Sequence, residues 1–220
     1  MTLPQGAPTA FLLACLLAGV VAMLLAYHAK ARGLYAVSKA VASASFVAIA
    51  VLGGVPESLW GRLVLVGLAT SAVGDVILAG RGALAFAGGL AAFTLAHAAF
   101  AAGFLLLAAA PTASSLTVAA CLIAAVFAWR ALQAHWRVPT RLRIPVASYL
   151  ALLTVMVGLA TLAASLHTAP FLAVGGTLVA GSDLAVARHR FGRASFANKL
   201  WGLPAYYVGQ GLLALWLASV

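Results

Sequence analysis

Two aspartates and one lysine lie inside long apolar segments of this sequence, where charged side chains are costly. Asp75 and Asp183 are two of only three acidic residues in the chain, and Lys39 lies in another apolar segment. A charge at the centre of a membrane-spanning helix costs about 2.5–3.5 kcal/mol even on the lenient insertion scale, so ionisable residues there usually have a function. Burial and a neighbouring carboxylate both raise the pKa of a carboxyl group in general. Two buried aspartates at one depth could therefore supply one proton donor and one ionised carboxylate.

The same three charges also have a purely structural interpretation. Asp75 and Lys39 could form a buried ion pair that does nothing but join two helices. Asp183 could pair with Arg188 or Arg190, whose long side chains can bridge from the membrane edge. The sequence leaves both interpretations open.

The elements that carry these residues are predicted to be membrane helices. The chain is 65% apolar and 7% charged, whereas an ordinary soluble domain has roughly 25% charged residues. A chain of this length has too much surface to bury so many apolar side chains in a water-soluble core. Roughly 20 mostly apolar residues span a bilayer as a helix. We therefore predict an all-α polytopic membrane protein, a single integral membrane domain over residues 1–220, with about eight transmembrane helices near 9–29, 34–53, 61–80, 83–109, 114–130, 144–166, 170–187 and 200–219.

The basic residues predict the orientation of these helices. The net charge is +10, but the positive charges lie in short loops between apolar segments, so no nucleic-acid partner is predicted. Of the 13 basic residues, 11 fall in the loops that follow odd-numbered helices: Lys30, Arg32, Arg81, Arg130, Arg137, Arg141, Arg143, Arg188, Arg190, Arg193 and Lys199. The positive-inside rule then places these loops in the cytoplasm and both termini on the other side. No Lys or Arg precedes the first apolar segment, which is therefore predicted to be a retained helix and not a signal peptide.

Polar side chains of five predicted helices fall at a common depth. At about 1.5 Å rise per residue, they lie roughly 8–12 Å inside the basic loops. This layer contains Lys39, Asp75, Tyr149, Asp183, Tyr206 and Tyr207. His97 and Gln210 lie deeper. Scattered structural polar residues would not be expected to share one depth, which favours a site. His97 could still be a helix–helix contact, and the two adjacent tyrosines could be interfacial aromatics.

A faint internal repeat relates the two halves of the chain. The segment at 73–79 (VGDVILA) resembles 181–187 (GSDLAVA), and 86–90 (FAGGL) resembles 196–200 (FANKL). These matches pair helix 3 with helix 7 and helix 4 with helix 8, which run in the same direction. The pattern predicts two parallel four-helix halves, an arrangement known among transporters.

Metal and disulfide chemistry are not predicted. Cys15 and Cys121 lie in apolar segments, where cysteine behaves as a small hydrophobic residue. The histidines lack the spacing of zinc ligands. We therefore predict that the protein has no metal site and needs no cofactor.

The ordered set of polar motifs resembles the YhhN-like membrane proteins, which include the lysoplasmalogenases. The resemblance extends over nearly the whole chain. It is carried by Ser38-Lys39, Gly74-Asp75 with Leu78, Leu95-Ala96-His97, Pro145 to Tyr149, Ser182-Asp183-Leu184 with Arg190-Phe191, and Tyr206-Tyr207 with Gln210. Such a protein is expected to be a multi-pass protein of the bacterial inner (plasma) membrane.

The resemblance implies hydrolysis of the vinyl ether bond of lysoplasmalogens, giving a fatty aldehyde and glycerophospho-ethanolamine or -choline. The partners would be the lysophospholipid substrate and membrane lipid; the oligomeric state is not specified. Asp75 and Asp183 would be the catalytic carboxyls, by analogy with the two carboxyls that flank an oxocarbenium-like state in glycoside hydrolysis. Substrate would be bound by Lys39, His97, Tyr149, Tyr206, Tyr207 and Gln210.

Two other classes of function remain open from the residues alone. A small proton-coupled transporter would also use intramembrane Asp and Lys residues. A lipid-binding or scaffold protein without catalysis would use the same polar layer for recognition. Neither of these would release aldehyde from a vinyl ether lipid.

Overall fold

A computed structural model describes residues 6–54 and 56–220, and helices account for almost all of them. The eight helices are α1 (Ala7–His28), α2 (Arg32–Leu52), α3 (Leu59–Ala79), α4 (Gly82–Ala108), α5 (Pro111–His135), α6 (Thr140–His167), α7 (Pro170–Phe191) and α8 (Phe196–Leu217). The described residues contain no strand. The predicted all-α architecture with eight helices is confirmed.

The predicted helix boundaries were wrong by up to five residues at the basic ends. α5 continues to His135 instead of ending near residue 130, and α7 continues to Phe191 instead of ending near 187. α6 begins at Thr140 and α8 at Phe196, each four residues earlier than predicted. The apolar pattern ends at the first arginine, but a helix backbone remains satisfied by its own hydrogen bonds beyond the membrane. Several of the basic residues predicted in loops therefore lie on the ends of helices.

Seven of the helices, α1 to α7, are long and apolar enough to cross a membrane. The chain is thus an integral multi-pass membrane protein. α8 has 22 residues, as many as α1, but it carries several polar side chains. Tyr207 and Gln210 of this helix are fully buried, at 0% exposure. α8 can carry these polar side chains because they face the inside of the bundle and not the lipid.

The packing of the helices follows the predicted four-helix repeat. α1 packs on α2 and α2 on α3, as α5 packs on α6 and α6 on α7. The hairpin of α3 and α4 has its counterpart in α7 and α8, and the contact of α4 with α6 has its counterpart in that of α8 with α2. α1 also packs on α8, whereas α5 packs mainly on α6. α5 is therefore the helix with the fewest partners in the bundle.

Glycines bring the helices of each hairpin close together beside the polar residues. A Cβ atom on Gly74 of α3 would meet the ring of Phe93 on α4 at 2.9 Å. Gly175 of α7 and Gly209 of α8 face each other, and a Cβ atom on Gly209 would meet the Gly175 carbonyl oxygen at 2.8 Å. Small residues allow backbones to approach closely in membrane proteins, where van der Waals packing drives helix association. These contacts fix α3 and α7, which carry the two aspartates, against their neighbours.

Candidate functional site

Asp75 is the centre of a saturated polar cluster between α2, α3 and α8. Its Oδ1 atom lies 2.9 Å from Lys39 Nζ, and its Oδ2 atom accepts hydrogen bonds from Ser43 at 2.7 Å and Tyr207 at 3.3 Å. Asp75 is only 2% exposed. Both carboxylate oxygens are therefore occupied, and the ion pair considered from the sequence is present.

Asp183 belongs to a second cluster, between α4, α6 and α7. Its Oδ2 atom accepts a 2.7 Å hydrogen bond from the Tyr149 hydroxyl and lies 3.6 Å from His97 Nε2. No side chain of residues 6–54 or 56–220 donates a hydrogen bond to its Oδ1 atom. The side chain is 16% exposed, so this carboxyl retains one oxygen without a protein partner. The alternative pairing of Asp183 with Arg188 or Arg190 is not observed among the described residues.

The hydrogen bonds assign the protons in the second cluster. Tyr149 donates its single hydroxyl proton to Asp183, so its oxygen can only accept from other groups. His97 Nδ1 lies 3.2 Å from that oxygen and is then the donor, which leaves Nε2 without a proton in the neutral ring. A chain of hydrogen bonds therefore runs from His97 through Tyr149 to the carboxyl group of Asp183.

The two clusters are built on equivalent helices of the repeat. Ser43 on α2 donates to Asp75 as Tyr149 on α6 donates to Asp183. The third member of the first cluster is Tyr207 of α8, and the third member of the second cluster is His97 of α4. The clusters differ in charge, since only Asp75 has a lysine beside it. The two halves of the bundle thus hold two aspartates on equivalent helices with different surroundings.

Aromatic rings separate the two clusters. The ring of Tyr206 lies 5.8 Å from that of Phe93, which in turn lies 6.3 Å from the His97 ring. Tyr206 also packs on Tyr207 of the first cluster, at 4.8 Å. The Tyr206 hydroxyl is buried and has no hydrogen-bond partner among the residues the structure describes. Gln210 does not reach either aspartate; its side chain donates to Ser71, one turn before Asp75.

A groove of about 710 Å³ opens between α4, α6 and the end of α7. Small side chains on one face of α4, spaced four residues apart at Ala83, Ala87 and Ala91, form one wall. Tyr149 and Pro145 of α6 contribute to the opposite wall. Tyr149 is therefore shared, because its ring lines the groove and its hydroxyl holds Asp183. Neither Asp75 nor Asp183 lines this groove; Asp183 is joined to it through the Tyr149 hydroxyl.

Two arginines lie at the basic end of the groove. Arg141 and Arg190 both belong to its lining, and the Arg190 guanidinium lies 4.6 Å above the ring of Phe86. Arg141 precedes Tyr149 by eight residues, and Arg190 follows Asp183 by seven. The arginines are thus roughly 10–12 Å along the helix axes from the Asp183–Tyr149 hydrogen bond. The groove is apolar along most of its length and positively charged at one end.

Comparison with known proteins identifies the family of this chain. A family model described as the YhhN family matches residues 34–217. The chain belongs to the YhhN family. The match covers α2 to α8 with both aspartate clusters, and α1 lies outside it. No curated protein and no solved structure matches the chain.

Sequence reasoning about this YhhN-family protein missed three contributors to the clusters and the groove. Ser43 lies four residues after Lys39 on the same face of α2, a spacing that could have revealed it. Arg141 was interpreted only as a signal of orientation, and Arg190 also as a possible partner of Asp183, because nothing in their spacing indicates that they converge on one groove. Within residues 6–54 and 56–220, no three His, Cys, Asp or Glu side chains come together as metal ligands.

Proposed function

We propose that this YhhN-family protein is a lysoplasmalogenase, a membrane-embedded hydrolase that cleaves the vinyl ether bond of lysoplasmalogen. The observation that carries the proposal is the Tyr149–Asp183 hydrogen bond at the wall of an apolar groove that ends in two arginines. The family resemblance supplies the substrate class, and the groove has the matching chemistry. Its apolar walls suit a single hydrocarbon chain, and its arginines suit a phosphate group, which guanidinium binds in bidentate fashion.

The spacing of these features corresponds to the layout of the lipid. In a lysoplasmalogen, the glycerol backbone separates the phosphate from the vinyl ether, and the alkenyl chain extends beyond it. With the phosphate at Arg141 and Arg190, the glycerol would cover part of the roughly 10–12 Å between the backbone positions of the arginines and Tyr149, and the long arginine side chains would cover the rest. The vinyl ether would then lie at Tyr149, next to the carboxyl of Asp183. The hydrocarbon would extend past Thr94 and Leu152, the lining residues farthest from the arginines.

The proposed reaction uses one carboxyl as acid and then as base. The protonated Asp183 transfers its proton to the β-carbon of the vinyl ether, which leaves an oxocarbenium ion and an aspartate carboxylate. Water adds to the carbon bonded to the ether oxygen and returns a proton to the carboxylate. The resulting hemiacetal breaks its bond to the glycerol oxygen, which takes the hydroxyl proton, and the aldehyde is released. Such a switch between acid and base follows from general acid–base catalysis on a single positioned group.

The hydrogen bonds around Asp183 support this role. Tyr149 donates to Oδ2, which in a protonated carboxyl would be the carbonyl oxygen, and Oδ1 would carry the acidic proton. The same hydroxyl stabilises the carboxylate that forms after proton transfer. His97 orients Tyr149 by donating to it. Both residues are thus positioning residues for the acid.

The role predicted for Asp75 as a second catalytic carboxyl stays a prediction, and its contacts favour a different one. A carboxylate with an ion pair and two hydrogen bonds has no free oxygen with which to activate water. We propose that the Lys39–Asp75 pair positions α2, α3 and α8. Through Tyr207 and Tyr206 it supports the aromatic layer that separates the two clusters.

The test is aldehyde release by the purified protein from a lysoplasmalogen and from its saturated ether analogue. The saturated ether has no carbon that can be protonated to an oxocarbenium ion, so we expect aldehyde only from the vinyl ether. In oxygen-18 water the glycerol product should contain no label, because its oxygen comes from the substrate. A proton-coupled transporter or a lipid-binding scaffold would release no aldehyde from either lipid, which would refute the proposal.

A further inference from the structure

A second pocket lies at the basic end of the bundle, between the end of α5 and the end of α7. It has a volume of about 430 Å³. Three arginines line it: Arg137 from the α5–α6 loop, Arg188 from α7 and Arg193 from the α7–α8 loop. Trp136 and His135 contribute the remaining polar lining. This pocket shares no lining residue with the groove beside Tyr149.

The two sides of the pocket are fixed to each other. The Arg137 amide donates a 3.2 Å hydrogen bond to the Phe191 carbonyl oxygen. The indole of Trp136 packs on Gly192, where a Cβ atom would meet its Nε1 atom at 3.1 Å. The pocket is therefore built by tertiary contacts and is more than a gap between separate loops.

No carboxylate in the described part of the chain pairs with the positive charges of this pocket. The chain has only three acidic residues. Asp75 is paired with Lys39, Asp183 is held by Tyr149, and Glu57 lies in the loop between α2 and α3 at the opposite end of the bundle. The three arginines are solvent-exposed, so water and salt screen part of their mutual repulsion, and an anion between them would remove more of it.

Membrane orientation alone does not account for this arrangement. The positive-inside rule requires only that arginines lie in the loops of one face, whatever the direction of their side chains. Here residues from the α5–α6 loop, α7 and the α7–α8 loop line one pocket that also contains a tryptophan. Trp is enriched at the level of lipid headgroups, and basic pockets between membrane helices bind anionic headgroups.

We propose that this pocket binds a phosphate-bearing anion, of the kind presented by the headgroup of an anionic membrane lipid. The bound phosphate bridges Arg137 at the end of α5 to Arg188 and Arg193 at the end of α7. This bridge has a structural consequence, because α5 packs mainly on α6 and lacks a strong contact with α7. The lipid thus reinforces the Arg137–Phe191 hydrogen bond and the Trp136–Gly192 contact, which already connect the end of the most weakly packed helix to the helix that carries Asp183.

The experiment uses the full-length protein in three kinds of sample. One contains nanodiscs of phosphatidylcholine, the second contains nanodiscs with added phosphatidylglycerol, and the third contains phosphatidylcholine nanodiscs with inorganic phosphate in solution. Melting temperature and tryptophan fluorescence are measured in each. The pocket variant is Arg137→Gln/Arg188→Gln/Arg193→Gln. The matched control, Lys30→Gln/Arg32→Gln/Arg81→Gln, removes the same number of charges from the other loops of the same face.

We expect phosphatidylglycerol to raise the melting temperature of the wild type and the control variant but not that of the pocket variant. Losing three basic contacts should weaken lipid binding by at least about tenfold. An equal effect of inorganic phosphate would identify the phosphate group alone as the ligand, and no effect would identify the lipid headgroup; both support the site. Equal responses of the pocket and control variants, or no response of the wild type, would overturn the proposal.

Trp136 provides a test that keeps all three arginines. Its fluorescence should change when phosphatidylglycerol or phosphate fills the pocket of the wild type. The change should be missing in Trp136→Phe, which retains the other four tryptophans. If the same change persists in that variant, the signal comes from elsewhere and the pocket is not the binding site.

Discussion

The Tyr149 hydroxyl lies 2.7 Å from Oδ2 of Asp183 and donates its proton to it across the interface of α6 and α7. This hydrogen bond connects the groove to an acidic group that has one oxygen free of protein partners. The equivalent aspartate on α3 receives a hydrogen bond of the same length from a serine, but a lysine neutralises it. The difference between the two clusters leads to separate expectations for their variants.

Removing the Tyr149 hydroxyl should slow the reaction without unfolding the protein. Hydrogen bonds to charged groups contribute about 1.5–3 kcal/mol, so Tyr149→Phe should lower kcat roughly tenfold to a hundredfold. The ring still lines the groove, so KM should change little. Steady-state aldehyde release measures both constants. Tyr27→Phe is the matched control, because Tyr27 stacks on Phe196 away from both aspartates; an equal loss of kcat in the two variants would contradict the assignment.

The Lys39–Asp75 pair should affect the free energy of unfolding. Asp75→Asn leaves a buried lysine without its counter-ion, which should cost about 3–5 kcal/mol, whereas replacing both charges should be nearly neutral. We expect a lower melting temperature for the single variant and recovery in Lys39→Met/Asp75→Asn. Thermal unfolding in detergent provides the measurement.

The activity of that double variant decides the role of Asp75. If the pair only positions helices, the recovered protein should retain much of its specific activity. A stable double variant that releases no aldehyde would show that Asp75 acts in the reaction, as the sequence predicted. Cooperating catalytic groups are strongly non-additive, so combining it with an Asp183 substitution would then add little further loss.

The two arginines of the groove should affect substrate binding more than chemistry. They are far from the reacting bond, so their contact with phosphate is the same in the ground state and the transition state. Arg141→Gln and Arg190→Gln should each raise KM, by roughly tenfold for a charged hydrogen bond at an exposed site, with kcat nearly unchanged. Arg62→Gln, at the other end of the bundle, is the control. A fall in kcat at constant KM would place these arginines near the chemistry instead.

Both termini should face away from the cytoplasm. Eleven of the 13 basic residues lie in the loops or helix ends at the opposite face, which the positive-inside rule retains in the cytoplasm. A reporter that is active only outside the cytoplasm, fused after Val220, should therefore be active, and one fused in the loop after α5 should not. Activity in the reverse pattern would invert the orientation of the groove.

The helices could be predicted because their sequence signal is local. Long apolar segments interrupted by glycine and proline indicate where helices span a membrane, without knowledge of their neighbours. Their ends could not be predicted as well, since the arginine-rich segments around residues 130–143 and 188–199 carry no apolar pattern and still remain largely helical. The common depth of Lys39, Asp75, Tyr149 and Asp183 was predicted from helix rise and the basic loops, and within this layer Lys39 contacts Asp75 and Tyr149 contacts Asp183.

The division into two clusters could not be predicted, because it depends on which helices touch. Depth does not distinguish a contact of Asp183 with Tyr149 from one with Lys39. The groove likewise depends on tertiary structure. The spacing of Ala83, Ala87 and Ala91 predicts a row of small residues on one face of α4. It does not predict that α6 leaves a space beside that face. Weak pairing information of this kind is present only in the internal repeat, which relates α3 to α7 and α4 to α8.

The most direct test of the proposed mechanism is aldehyde release from lysoplasmalogen by purified Asp183→Asn, measured beside the wild type. The melting temperatures of the two proteins are compared first, to establish that the variant is folded. The amide has nearly the same size as the carboxyl group but cannot donate its proton. General acid catalysis contributes about 10²- to 10⁴-fold to a rate, so aldehyde release should fall by at least about 10²-fold. The protein should remain folded, since the substitution leaves no buried counter-ion unpaired. Near-normal aldehyde release by correctly folded Asp183→Asn would contradict acid catalysis by this residue.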